Sequence, residues 1–210
     1  TEWQRLKVEI SGLERGLMAA LTEQIDRIRR EQHEAWSPGP VLGFRIWFAD
    51  EEALHGARVA WPTPALAAFC ERRPSDDVEV PHTDGRCGRL GCGIYATKDA
   101  RPVIVEHIPP GAHGWAGGLV ELSGKVVEHD HGYRAAHARV VAVAAVGRHQ
   151  SLWTADPAEI EALFARPGAV LCGPTTRRSG ADDVREAVVA YLEDELHRRT
   201  RPWTSGSNGA

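Results

Sequence analysis

Three cysteines and a histidine, Cys70, His82, Cys87 and Cys92, follow one another with 11, 4 and 4 residues between successive members. Thiolate and imidazole are the donors that tetrahedral zinc prefers, and a set of three cysteines and one histidine fills the ion's four positions. A filled ion has no room for water or substrate. The set therefore predicts a structural zinc site that stabilises a loop lacking a core of its own. Gly85, Gly88, Gly91 and Gly93 permit the tight backbone path that brings neighbouring cysteines onto one ion. The spacing matches no common zinc-finger pattern, and Cys70 ends an apolar stretch, so a buried cysteine without a metal is the alternative. If Cys70 is not a ligand, His82, Cys87 and Cys92 leave one position for water, with Asp84 or Glu79 nearby as a base, which is the route to a metal-assisted hydrolase. The His-x-Glu and Pro-Cys-x-x-Cys order of the zinc deaminases is absent.

A second group, Glu128-His129-Asp130-His131, has the residue types of a metal or acid–base site. It falls at the expected tip of a hairpin. Turns favour Asp and Gly for backbone reasons, no nucleophile stands beside the histidines in sequence, and solvent exposure of both rings is the plainer expectation. Glu106, His107 and His113 could approach it only through the fold. The four glycines between Gly111 and Gly118 lack the lysine and the spacing of a phosphate-binding loop. Trp36, Trp47, Trp61, Trp115 and Trp153 are ordinary core residues for the most part, although some could mark a recognition surface.

The elements that must hold these groups follow from pattern. Trp3, Leu6, Ile10, Leu13, Leu17, Leu21, Ile25 and Ile28 recur every three or four residues, which predicts an N-terminal amphipathic helix within residues 1–36. Gly12 and Gly16 weaken that helix, so it needs a partner surface, its own domain or a second copy of the chain. Ser37-Pro-Gly-Pro40 ends it and opens an α+β core domain over residues 38–200, with the Cys/His loop at 70–92. Strands are expected over Val41–Ala49, Ala57–Trp61, Gly93–Ala96 and Val170–Cys172. A long hairpin is expected from Leu119–His129 and Tyr133–Val146, and a brief helix over Ala65–Cys70. Asp156-Pro-Ala-Glu159 is a helix-start signal for a segment reaching about Ala165. Val184, Val188, Leu192 and Leu196 place the apolar face of a last helix over about 181–199. The tail, 201–210, is too small and polar to pack, and disorder is expected there.

Composition sets the outer bounds. The 210 residues are 42% hydrophobic, enough for one sizeable core. With 25 basic against 29 acidic side chains the net charge is −4, which disfavours broad electrostatic binding to nucleic acid or to an anionic membrane. Nucleic-acid binding would need Arg86, Arg89, Arg177 and Arg178 gathered on one face. No apolar run reaches the roughly 20 residues of a spanning helix, and no signal-peptide order opens the sequence, so a cytoplasmic protein is expected. In that reducing compartment cysteines near a histidine read as ligands sooner than as disulfides. Only Lys7, Lys98 and Lys125 balance a large arginine complement, a bias of GC-rich bacterial genomes.

The segments Cys92-Gly-Ile-Tyr-Ala96, Gly124-Lys-Val-Val-Glu-His129 and Gly132-Tyr-Arg-Ala135 resemble those of a bacterial family of uncharacterised proteins that pair them, over roughly residues 40 to 150. The resemblance implies a shared fold and the cysteine site, and it transfers no mechanism. The function expected is a non-enzymatic, zinc-stabilised binding or regulatory module for a protein partner or a small ligand, self-associating or recruiting its partner through the N-terminal helix. The rival is a metal-assisted hydrolase using His82, Cys87 and Cys92 or the His129/His131 pair.

Overall fold

The computed structural model describes residues 40–50, 52–56, 59–70, 80–82, 92–109, 111–148, 150–171 and 181–201, with Trp3 and residues 16–18. The expected N-terminal helix therefore lies outside the described residues except at Trp3 and 16–18, where the backbone is helical, and so does the tail beyond Arg201. The chain is strand-rich with a few helices. In order come β1 (Val41–Ala49), β2 (Leu54–His55), β3 (Ala60–Trp61), β4 (Ala65–Ala67), β5 (Ile94–Thr97), a π-helix (Pro102–Glu106), β6 (Trp115–His129), β7 (Gly132–Val146), β8 (Ser151–Thr154), α1 (Pro157–Ala165), α2 (Pro167–Leu171) and α3 (Ala181–Thr200). No helix among the described residues is long and apolar enough to cross a membrane.

All strand pairs are antiparallel, and β1, β6, β7 and β5 close into a circuit. β6 and β7 pair from Trp115↔Val146 to His129↔Gly132, with irregularities at Leu119/Val120 and Ser123/Val126. The opposite edge of β7 takes three short strands in succession: β5 against 132–135, β4 against 137–139 and β8 against 143–146. Circuit closure from β1 to β5 rests on one pair, Phe44↔Thr97.

Alternation along β1 feeds two packed layers, because successive side chains of a strand point to opposite faces. Trp47 goes to the first layer with Trp61, Ile94, Ala135 and the α1 residues Ile160, Leu163 and Phe164. Phe44 goes to the second, with Ile104 of the π-helix, Ile108 just beyond it, and Val188, Val189 and Leu192 of α3. Each such large apolar side chain contributes roughly 1.5–3 kcal/mol by leaving water. α1 starts where its sequence signal places it: the Asp156 carboxylate accepts the Ala158 N–H at 2.8 Å and Pro157 takes the first turn. Arg185 of α3 donates to the carbonyls of Val105 (3.0 Å) and Ile108 (2.9 Å), tying α3 to the end of the π-helix.

The β6 glycines explain how both layers approach one strand. A Cβ at Gly117 would meet Ile104 Cδ1 at 3.1 Å and Val188 Cγ1 at 3.2 Å on the helix side. One at Gly118 would meet Trp47 Cζ3 at 2.6 Å on the other. Gly118→Ala is therefore expected to lower stability by about 1–3 kcal/mol, the usual cost of overpacking, as a drop in the urea midpoint at unchanged slope.

Three sequence expectations are corrected. Residues Ala65–Ala67 form strand, not helix, because the exposed edge of β7 supplies partners, Ala65↔Arg139 to Ala67↔His137, that outweigh a weak local helix preference. The segment reaching Leu171 is helical, not a strand: Pro167 suits a first helical turn, and a short apolar run fits either structure. The second strand is displaced into the β2–β3 pair, Leu54↔Trp61 and His55↔Ala60.

Candidate metal centre and adjoining cavity

β4 and β5 lie along the same edge of β7, and this brings Cys70 and Cys92 together. β4 descends that edge to Ala67↔His137, and the Ala68 N–H continues the line to the Ala136 carbonyl at 2.7 Å. β5 joins at Ile94↔Ala135. The chain leaving one strand and the chain entering the other are thus set end to end, with Cys70 and Cys92 at the junction. Both are buried, at 2% and 1% exposure, with Val80 packed against them. His82 completes the group: one ligand atom from each of Cys70, His82 and Cys92 lies within 4.8 Å of the other two. Cys87 lies outside the described residues, as do Glu79, Asp84 and the four arginines that a nucleic-acid surface would need.

The geometry suits an ion. Donors about 2.3 Å (sulfur) and about 2.0–2.1 Å (nitrogen) from a tetrahedral zinc stand about 3.5 Å apart. Cys92 Sγ and His82 Nδ1 are 3.4 Å apart. The His82 backbone N–H donates to Cys92 Sγ at 3.3 Å. Behind this stands Arg134, buried on β7, whose Nη2 donates to the His82 carbonyl at 3.0 Å. Gly93, at φ +94, makes way for it: a Cβ there would lie 2.5 Å from Arg134 Cγ. Such second contacts fix the orientation of metal ligands. The arrangement fits a metal ion and leaves its identity undetermined.

No family model, curated protein or solved structure matches the chain.

The second sequence cluster lies elsewhere. Glu128, His129, Asp130 and His131 turn from β6 into β7 at the wall of a cavity of about 620 Å³. Its other walls come from β1, β5 and Val103 of the π-helix. Glu106, His107 and His113 do not line it. Glu128 is taken up by Lys98 at 2.7 Å. His129 is half-buried, and its Nε2 has no hydrogen-bond partner. Burial first, then the positive charge of Arg134, holds His129 below the ordinary histidine range.

That shift has a sign in stability. The unfolded imidazole takes its proton near pH 6.5, and the folded one resists until the pH is lower. The contribution of His129 is full above about pH 6.5, declines as the pH falls and levels off once the folded ring protonates as well. Urea midpoints at pH 7.5 and pH 5.5 are expected to differ less in His129→Gln than in the wild type. An equal difference would mean that other groups set the acid sensitivity.

Sequence reasoning missed Arg45, Tyr95, Tyr133 and Arg134. For Arg45 a signal was present: a charged residue in an apolar strand, in phase with Trp47 and not with the outer positions. Trp47, Trp61 and Trp115 are core, whereas Trp153 is 39% exposed and meets Tyr191 at a tilt, ring centres 5.6 Å apart.

Proposed function

We propose that this protein is a non-enzymatic binding module whose fold is pinned by a structural zinc ion, held by Cys70, His82 and Cys92 with Cys87 as the fourth ligand. The observation that carries this reading is the meeting of two cysteine sulfurs and an imidazole from separate segments at one junction, with both sulfurs buried. A site closed by four protein ligands has no position for substrate, so the ion acts on structure, and what the module binds lies elsewhere. The cavity beside the turn of residues 130–131 is of a size for a small organic molecule. The N-terminal helix serves a protein partner or a second copy of the chain. A reducing, cytoplasmic setting keeps the thiolates available.

The test is metal content, by mass spectrometry, of protein purified without an affinity tag, in the wild type and in Cys70→Ser, Cys87→Ser and Cys92→Ser. One zinc per chain, lost in each variant, supports the closed site. Metal retained in Cys70→Ser or Cys87→Ser would mean an open position and favour a metal-assisted hydrolase. A metal-free wild type would overturn the reading.

A further inference from the structure

The circuit of strands is narrowest in pairing where β1 meets β5, and the cavity opens at that seam. Phe44, Ile46, Val103, Tyr95 and Tyr133 give it a largely apolar, aromatic wall. Arg45 also lines it and is the wall's unusual member. Its Nη1 donates to the Tyr95 carbonyl across the seam, and its guanidinium lies 5.0 Å from the centre of the Trp61 ring. Its Nε is buried without a partner, and no carboxylate among the described residues pairs with it. Burial alone lowers the guanidinium to about 10, so it remains a cation at neutral pH.

Charges taken out of water are normally paired, because an unpaired one forfeits its hydration. Arginine is also the side chain whose flat fork of donors matches a carboxylate. The other charges of the wall do not answer Arg45. Glu128 is engaged by Lys98, Asp130 is exposed on the turn, and His129 is held neutral. Among the described residues, what remains uncompensated at the seam is one positive charge beside aromatic rings.

We propose that this cavity binds a small organic anion, an aromatic or apolar carboxylate whose charge pairs with Arg45 and whose body lies against Phe44, Tyr95 and Tyr133. This rests on the binding-module reading, names the class of its ligand and does not depend on the identity of the metal.

The probes are three molecules of nearly equal shape: 1-naphthoate, 1-naphthalenemethanol and 1-naphthylmethylammonium, titrated into the full chain by calorimetry. The carboxylate is expected to bind one per chain, at least about tenfold tighter than the alcohol, with the ammonium weakest. Arg45→Met should bring carboxylate and alcohol to equal affinity while alcohol binding persists, and Arg45→Lys should keep part of the preference. The wild-type series stands even if a variant fails to fold. An alcohol or ammonium that binds the wild type as tightly as the carboxylate would overturn the ligand class and leave the module reading intact. Binding of none of the three would overturn the small-ligand site altogether, while metal content continues to score the zinc reading separately.

Discussion

On the proposed zinc site, Cys92→Ser is expected to bind no metal and to unfold at a markedly lower temperature than the wild type. Cys92 contributes a buried sulfur at the junction of β4 and β5, and that sulfur also receives the His82 N–H. Structural zinc binds peptide sites with an apparent free energy of about 10–16 kcal/mol at neutral pH. The part that appears as stability follows the ratio of free metal to dissociation constant, about 4 kcal/mol at a thousandfold ratio. For a chain of this size each kcal/mol moves the midpoint by about 2–4 °C, so a fall of about 8–16 °C is expected by circular dichroism. A strong chelator added to the wild type should reproduce most of that fall. A chelator-insensitive wild type would show that serine costs only packing, and that the three residues hold no ion.

Trp47→Ala is the second large effect. Trp47 is fully buried and meets Trp61 edge-on at 5.2 Å and Phe164 edge-on at 5.8 Å. Truncating a buried tryptophan costs about 3–5 kcal/mol, and each lost aromatic pair about 0.5–1.5 kcal/mol within that figure. Its indole N–H is buried without a partner, so the truncation also removes an unfavourable group, and the lower half of the range is expected. Because the Trp47 ring is what a Cβ at Gly118 would strike, the two substitutions should couple. The Gly118→Ala penalty should largely vanish in the Trp47→Ala background. Additive penalties would place the strain at Gly118 against the Ala142 carbonyl instead, 3.0 Å away.

Features set by neighbouring residues were legible in the sequence. The start of α1 depends on adjacent residues, Asp156 and Pro157 above all, and the buried face of α3 on the recurrence of Val188 and Leu192. Features set by distant partners were not. β4 is a strand because the edge of β7 is available to it, and β6 begins at Trp115 because Gly117 and Gly118 leave room for two layers at once, which erases any hydrophobic period. The cluster of Cys70, His82 and Cys92 was legible as residue types, but its spacing fits no local motif, since the edge of β7 and not a tight loop joins Cys70 to Cys92. The cluster at 128–131 was legible as chemistry, whereas the cavity beside it depends on the β1–β5 seam, which no sequence period encodes.

That seam divides the cooperative unit unequally. Along β1 the edge facing β6 is joined by a ladder from Val41↔Leu122 to Phe48↔Trp115, whereas the other edge meets β2 only at its end, Phe48↔His55 and Ala49↔Leu54, and β5 at a single pair. Sub-global opening follows the join with the fewest bonds, so amide protons on the β5-facing edge of β1 exchange with solvent long before those facing β6. The mouth of the cavity can thus breathe on its own timescale while the β6–β7 ladder stays shut.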